Sequence, residues 1–450
     1  MFCLLQNTRK TREKRWKNFE FLIEMQYNIL DFVCREKSET KGELALNEKL
    51  LHTPEGVRDI YDAECKKKKK VISQIHHVLE LYGYQDIDTP SFEYFDIFNM
   101  DKGSAASNEM YKFFDRNNNT LVLRPDITPG IARSVAKYYP DEQLPIRLCY
   151  AGNTFLNTHQ HQGKLSEFTQ IGGELVNDDS SAADAEIIAC VIHCLLAAGL
   201  KEFQIEIGDV EFFKGMIEEA GLDSETEKRI KEYIHSKNFF GLTEFVNTLN
   251  IPEERKAALK SFESLFGGLD MLDRAETLVT NPVSLESIDR MRKVYTALAS
   301  YGYEKYVSFD LSMINRFNYY TGIIFRGYTY GTGDAIVKGG RYNDLLEKFG
   351  KKAPSVGFAI YVDDLMNAIV RNHIEVSLDY SNILVLYKEI CQKQAIAYTC
   401  ELRGADKKVE LVRMSRRHDL QEYETYAQKM HFEKLVYFSE ENSEPEVIEF

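Results

Sequence analysis

Apolar residues switch repeatedly between two periods along this chain. Ile60, Val71, Ile75, Val78, Leu79 and Tyr82 recur at helical spacing. Asp59 is placed to cap that helix, and Gly83 to end it. The next stretch, YQDIDTPSFEYFDIF, reads as extended and is broken at Pro90. EMYKFFDRNNNTLVLRPD then alternates, turns at Asn117 to Asn119 and alternates back, the pattern of a hairpin. IARSVAKYY returns to helical spacing. PIRLCYAGNTF and EFTQIGGELV read as strands flanking a polar connection from Leu156 to Glu167. ADAEIIACVIHCLLAAGL is apolar all round and predicts a buried helix, and FQIEIGDVEFF predicts another strand.

From about residue 214 to 300 the pattern is helical and charged, with little strand signal. Strands return at YVSFDLSM, YYTGIIFRGYTYG and the glycine-rich AIVKGGRYNDLLEKFG, and SVGFAIYVDDLMNAIV runs from strand into helix. After a linker near residues 375–381, NILVLYK, KVELVRM and KLVYFS alternate with two helical stretches. Hairpin-ordered strands with helices to one side predict an α+β fold, an antiparallel sheet flanked by helices. The expected organisation is a main domain over 49–372 with a helical insertion at about 214–300, and a small α/β domain over 380–450. Residues 1–48 read as an appended or disordered extension, with Met25 or a later codon as an alternative start.

Composition narrows the function classes. The chain has 450 residues, 44% hydrophobic and 28% charged, with a formal net charge of -14. This balance disfavours a protein whose main work is gripping nucleic acid, and the run Lys66 to Lys70 is expected to be a solvated helix face. No apolar run reaches transmembrane length, so no membrane partner is expected. Among eight cysteines there is no Cys-x-x-Cys. Cys190 and Cys194, with His193 between them, read as buried core thiols rather than metal ligands. Neither a metal nor a cofactor is implied, and the reduced thiols point to a cytoplasmic protein.

The ordered set TPEGVRD, LRPDITPGIAR, GKxxEFTQIGGE, YYTGIIF, GGRYNDLL and VGFA resembles the catalytic domain of the class II histidyl-tRNA synthetases over about 320 residues. The tail resembles a shortened form of that family's anticodon-binding domain. The resemblance implies a histidine pocket. Asp126, Thr128 and Gln170 would face the α-amino group, Glu174 and Tyr320 the imidazole, with Tyr319 beside them; Asp126 stands where the synthetases have Glu.

The adenylating half departs from the pattern. Histidine activation needs fixed cations around the α-phosphate, each worth about 3 to 4 kcal/mol. The family motif Phe-Arg-x-Glu is here Phe155, Leu156, Asn157, Thr158. The arginine of its histidine motif is Asn315, and that of its third motif is Asp364. The expectation is a protein without catalysis of its own. The chain further resembles a branch of that family, the regulatory subunits of ATP phosphoribosyltransferase. That likeness implies a short-form catalytic subunit as partner, self-association into a homodimer around Pro90, and L-histidine as effector. Other readings are a working synthetase, tested by pyrophosphate exchange, and a tRNA-binding or amino-acid-sensing module without a transferase partner, with Lys66–Lys70 and Arg413–Arg417 as its basic clusters.

Overall fold

The computed structural model describes residues 51–98, 106–157, 165–314, 320–378, 380–441 and 443–450. The chain divides into two compact units, residues 1–58 and 59–450. In the first, residues 51–58 form a turn in which the Val57 amide donates to the Pro54 carbonyl and Thr53 Oγ1 donates to the Val57 carbonyl. The expectations for residues 1–48 lie outside the described residues.

The second unit opens with α1 (Asp62–Leu81), which buries Val71, Ile75, Val78 and Leu79. Its N-cap is two residues later than the one expected at Asp59: Tyr61 takes that position and makes no side-chain cap bond. Gly83 ends the helix as expected, at a φ of 79°. The first strands are β1 (Gln85–Asp86), β2 (Phe92–Tyr94), β3 (Lys112–Phe114) and β4 (Thr120–Leu123). The β3–β4 turn is held by Asp115, whose Oδ1 accepts from the amides of Asn117 and Asn119. Next come α2 (Thr128–Tyr138), β5 (Ile146–Phe155), β6 (Glu167–Val176), α3 (Ser181–Ala197) and β7 (Phe203–Asp209). Pro129 suits the first turn of α2, where its missing N–H costs nothing.

Six helices follow: α4 (Val210–Glu219), α5 (Ser224–His235), α6 (Phe239–Thr248), α7 (Glu253–Lys260), α8 (Leu269–Glu276) and α9 (Pro282–Ser300). Between α7 and α8 lies the short strand β8 (Phe266–Gly267). Then come β9 (Val307–Asp310), β10 (Ile323–Thr329), β11 (Val337–Arg341), β12 (Ser355–Tyr361) and α10 (Val362–Arg371).

β1 and β5 to β12 form one nine-stranded sheet in the order β1-β5-β6-β12-β11-β10-β7-β9-β8. Its centre is antiparallel, as expected, but β1 joins β5 and β7 joins β9 in parallel. Both parallel pairs need long crossovers: β2 to β4 and α2 lie between β1 and β5, and the six helices with β8 lie between β7 and β9. α1 and α3 pack on one face of the sheet, where Cys190 and Cys194 are wholly buried in the main core. Asp184 of α3, fully buried, is paired with Arg341 (2.8 Å) and Arg290 (2.7 Å).

The C-terminal sheet has the order β14-β13-β15-β16, from β13 (Asn382–Tyr387), β14 (Lys408–Arg413), β15 (Lys434–Phe438) and β16 (Glu446–Glu449). The first three are parallel; β16, which the sequence pattern does not announce, pairs antiparallel at the edge. NILVLY is nearly continuously apolar because both its faces are covered. Ile383 and Val385 pack with α11 (Gln392–Gly404), and Leu384 and Leu386 with α12 (Leu420–Lys429). Among the described residues no helix is long and apolar enough to cross a membrane.

Candidate functional site

The site lies on the sheet face away from α1. Strand alternation puts Gln170, Gly172 and Glu174 of β6 on that face. Register then fixes their neighbours: Gly152, Tyr150 and Leu148 of β5 on one side, and Tyr361, Ala359 and Gly357 of β12 on the other. β11 adds Gly340 opposite Gly357 and Lys338 opposite Ala359, and β10 adds Arg326 opposite Lys338.

Four of these positions are glycines, one on each of the four adjacent strands β5, β6, β12 and β11, and they step obliquely across the sheet. A Cβ on Gly152 would strike the Arg124 guanidinium, one on Gly357 the Glu174 carboxylate, one on Gly172 the Tyr150 hydroxyl (2.7 Å), and one on Gly340 the Tyr320 ring (2.7 Å). The missing side chains let larger ones lie flat over the sheet. Arg124 is held there by the carbonyls of Thr89 (2.5 Å) and Asn153 (2.8 Å).

Glu174 is 1% exposed. Thr128 Oγ1, at the start of α2, donates to its Oε1 at 2.7 Å, and the Tyr342 hydroxyl, just after β11, donates to its Oε2. Burial pushes its carboxyl up to about 8; the two hydroxyl donors pull against burial, and the charge of Asp126 adds to it. Asp126 is half-buried, and its Oδ1 accepts from the amides of Ile127 (2.7 Å) and Thr128 (3.4 Å). Burial also raises the hydroxyls of Tyr150, Tyr320 and Tyr361, with Asp126 contributing to each. Gln170 is 3% exposed, and its Oε1 has no hydrogen-bond partner among the described residues. A buried orphan acceptor beside the Asp126 carboxylate, the Glu174 carboxyl and several hydroxyls is arranged for a small ligand carrying N–H groups.

Asp126, Thr128, Gln170, Glu174 and Tyr320 therefore lie together on this side of the sheet, whereas Tyr319 and Asn315 lie outside the described residues. At the positions that depart from the synthetase pattern, Leu156 is half-buried and its amide donates to the Ser166 carbonyl at 2.9 Å. Asp364 is exposed in the first turn of α10. Its neighbour Asp363 is buried: Oδ1 accepts from Lys68 Nζ at 2.7 Å and Oδ2 from the Thr169 amide at 2.8 Å. This corrects the reading of the lysine run as a solvated face. Lys68 reaches across to α10, and Lys70 Nζ donates to the Ser377 carbonyl at 2.7 Å.

Sequence reasoning did not assign Tyr342, Tyr150, Tyr361 or Lys68. Tyr342 stands inside the glycine-rich GGRYNDLL, where a hydroxyl one residue past a strand was the available signal. Tyr150 is two residues before Gly152 and shares its face.

Comparison with known proteins extends this picture. The histidyl-tRNA synthetase family model matches residues 56–365. A relative from Acetivibrio thermocellus named ATP phosphoribosyltransferase regulatory subunit is 40% identical over 367 residues, 79% of this chain and 88% of the relative. One of the same name from Clostridium kluyveri is 36% identical over 386 residues, 85% of this chain and 98% of the relative. The chain belongs to the family of ATP phosphoribosyltransferase regulatory subunits. A solved Bacillus halodurans structure, described as an ATP phosphoribosyltransferase regulatory subunit/histidyl-tRNA synthetase, superposes with a TM-score of 0.79 at 31% identity, covering 87% of this chain and 99% of that one. The regulatory-subunit family thus has a class II synthetase-like fold, and its name implies a catalytic ATP phosphoribosyltransferase as partner.

Proposed function

We propose that this chain is a regulatory subunit without catalysis of its own, which activates a short-form ATP phosphoribosyltransferase in the cytoplasm and makes it sensitive to L-histidine. The partner condenses ATP with phosphoribosyl pyrophosphate, the first step of histidine biosynthesis. The observation that carries the reading is the contrast within one pocket. Glu174 is held by Thr128 and Tyr342 beside the orphan acceptor of Gln170, while Leu156 and Asp364 stand where adenylation needs cations. Asp126, Thr128 and Gln170 face the α-amino group of histidine, and Glu174 and Tyr320, with Tyr319 beside them, face its imidazole. The domain over 49–372 holds this pocket, its insertion at about 214–300 is helical, and the 380–450 domain stands in for an anticodon-binding domain. The segment around Pro90 joins two copies, and the complex with the catalytic subunit is built on that homodimer.

The test is co-purification with the catalytic subunit, then transferase assays with and without histidine. The expected result is that this chain raises activity and confers inhibition, that Tyr320→Phe raises the histidine concentration needed for inhibition about tenfold, and that no ATP–pyrophosphate exchange occurs. An assembly whose rate and histidine response are unchanged by this chain refutes the proposal, as does histidine-dependent exchange.

A further inference from the structure

On the other face of the same sheet, three metal-binding side chains converge from three elements. β1 and β5 are parallel with Asp86 directly opposite Cys149, so the two side chains leave the same face side by side. α1 crosses above them and lowers His76 onto the pair. His76 Nε2 lies 2.7 Å from Asp86 Oδ1, Cys149 Sγ lies 3.6 Å from that same oxygen, and all three atoms fall within 4.8 Å of one another. Cys149 is fully buried, His76 has 30% of its side chain exposed and Asp86 73%, so the cluster has a closed inner side and an open outer one.

We propose that His76, Asp86 and Cys149 bind a borderline divalent transition-metal ion of the zinc class. One imidazole nitrogen, one thiolate and one carboxylate are a zinc-type donor set, and hard calcium or magnesium is disfavoured by the sulfur and nitrogen. Three protein ligands with a solvent-facing side leave the fourth position to water. Binding displaces the Cys149 thiol proton to solvent; the thiolate and the Asp86 carboxylate together then balance the dication. Glu80, one turn along α1, has its Oε1 3.9 Å from His76 Nδ1. That is too long for a hydrogen bond, so Glu80 contributes negative charge beside the imidazole rather than fixing its orientation; its other oxygen lies 3.5 Å from His77 Nδ1. The ion would staple the two-residue strand β1 to α1 and β5.

The probe is Co²⁺, titrated into the reduced, metal-stripped full-length chain. One equivalent is expected to produce a thiolate-to-cobalt charge-transfer band that Zn²⁺ abolishes. Because Cys149 is buried, the deciding variants are the more exposed His76→Gln and Asp86→Asn, each expected to weaken binding by at least about tenfold. Cys65→Ser and Cys400→Ser, which alter other thiols, leave the band in place. Absence of the band overturns the proposal, and so does a band that persists unchanged in His76→Gln and Asp86→Asn.

Discussion

Glu174→Gln removes a titrating group from the pocket while preserving its shape. In the folded protein the carboxyl is pushed up to about 8 from an ordinary 4.5. At about 1.4 kcal/mol per pH unit, that difference amounts to ~5 kcal/mol of pH-dependent stability. Below the unfolded value the group is protonated in both states and its contribution is fully present. As pH rises, the unfolded chain ionises first while the folded one keeps its proton, so the folded state binds more protons and stability falls. The loss continues through about pH 8 and then levels. Asp209, buried and pushed up to about 7, slopes the same way, so the informative quantity is the difference between wild type and variant. Denaturant unfolding at intervals from about pH 5 to 8.5 spans most of that range and should show wild type losing ~4 kcal/mol relative to Glu174→Gln. A difference constant to within about 1 kcal/mol across that range refutes the account of Glu174 as a buried, protonated acid.

Other predictions follow from single contacts. Gly357→Ala places a methyl group where the Glu174 carboxylate lies; histidine binding measured by calorimetry should fall at least about tenfold, with steric displacement as the cause. Lys68→Met leaves Asp363 buried, with the Thr169 amide still donating to it but its cation gone, and should cost about 3 kcal/mol, most of it recovered in the Lys68→Met/Asp363→Leu double variant. Arg341→Met deprives the fully buried Asp184 of one of its two arginines, with an expected loss of about 3 kcal/mol in chemical denaturation.

Gln170 and Glu174 entered through the resemblance to the synthetases; the two-residue period of EFTQIGGELV carries the same information, since it puts Gln170, Gly172 and Glu174 on one face of a strand. Partners across the sheet are another matter. Lys68 and Asp363 are 295 residues apart, and a helical charge run looks the same whether one lysine in it is paired or solvated. Tyr342 was visible as a residue, but its bond to Glu174 depends on β11 and β6 flanking β12, an order that no local pattern encodes. The parallel entry of β1 was hidden for the same reason: two residues carry too little alternation to show their direction. The α1 start was misplaced because Asp59 has the right chemistry for a cap, whereas the chain turns into the helix only at Asp62, with a φ of 48°.

The row of glycines beneath the pocket bears on how occupancy is communicated. The hollow there is formed by absent side chains, so no rotamer change in those four residues opens or closes it. Its floor is backbone hydrogen-bonded into neighbouring strands. A response to a bound molecule must leave through the walls: the first turn of α2, which carries Thr128; Tyr342, just past the end of β11; and Tyr320, just before β10. A regulator built this way reads its ligand from above, against a fixed base.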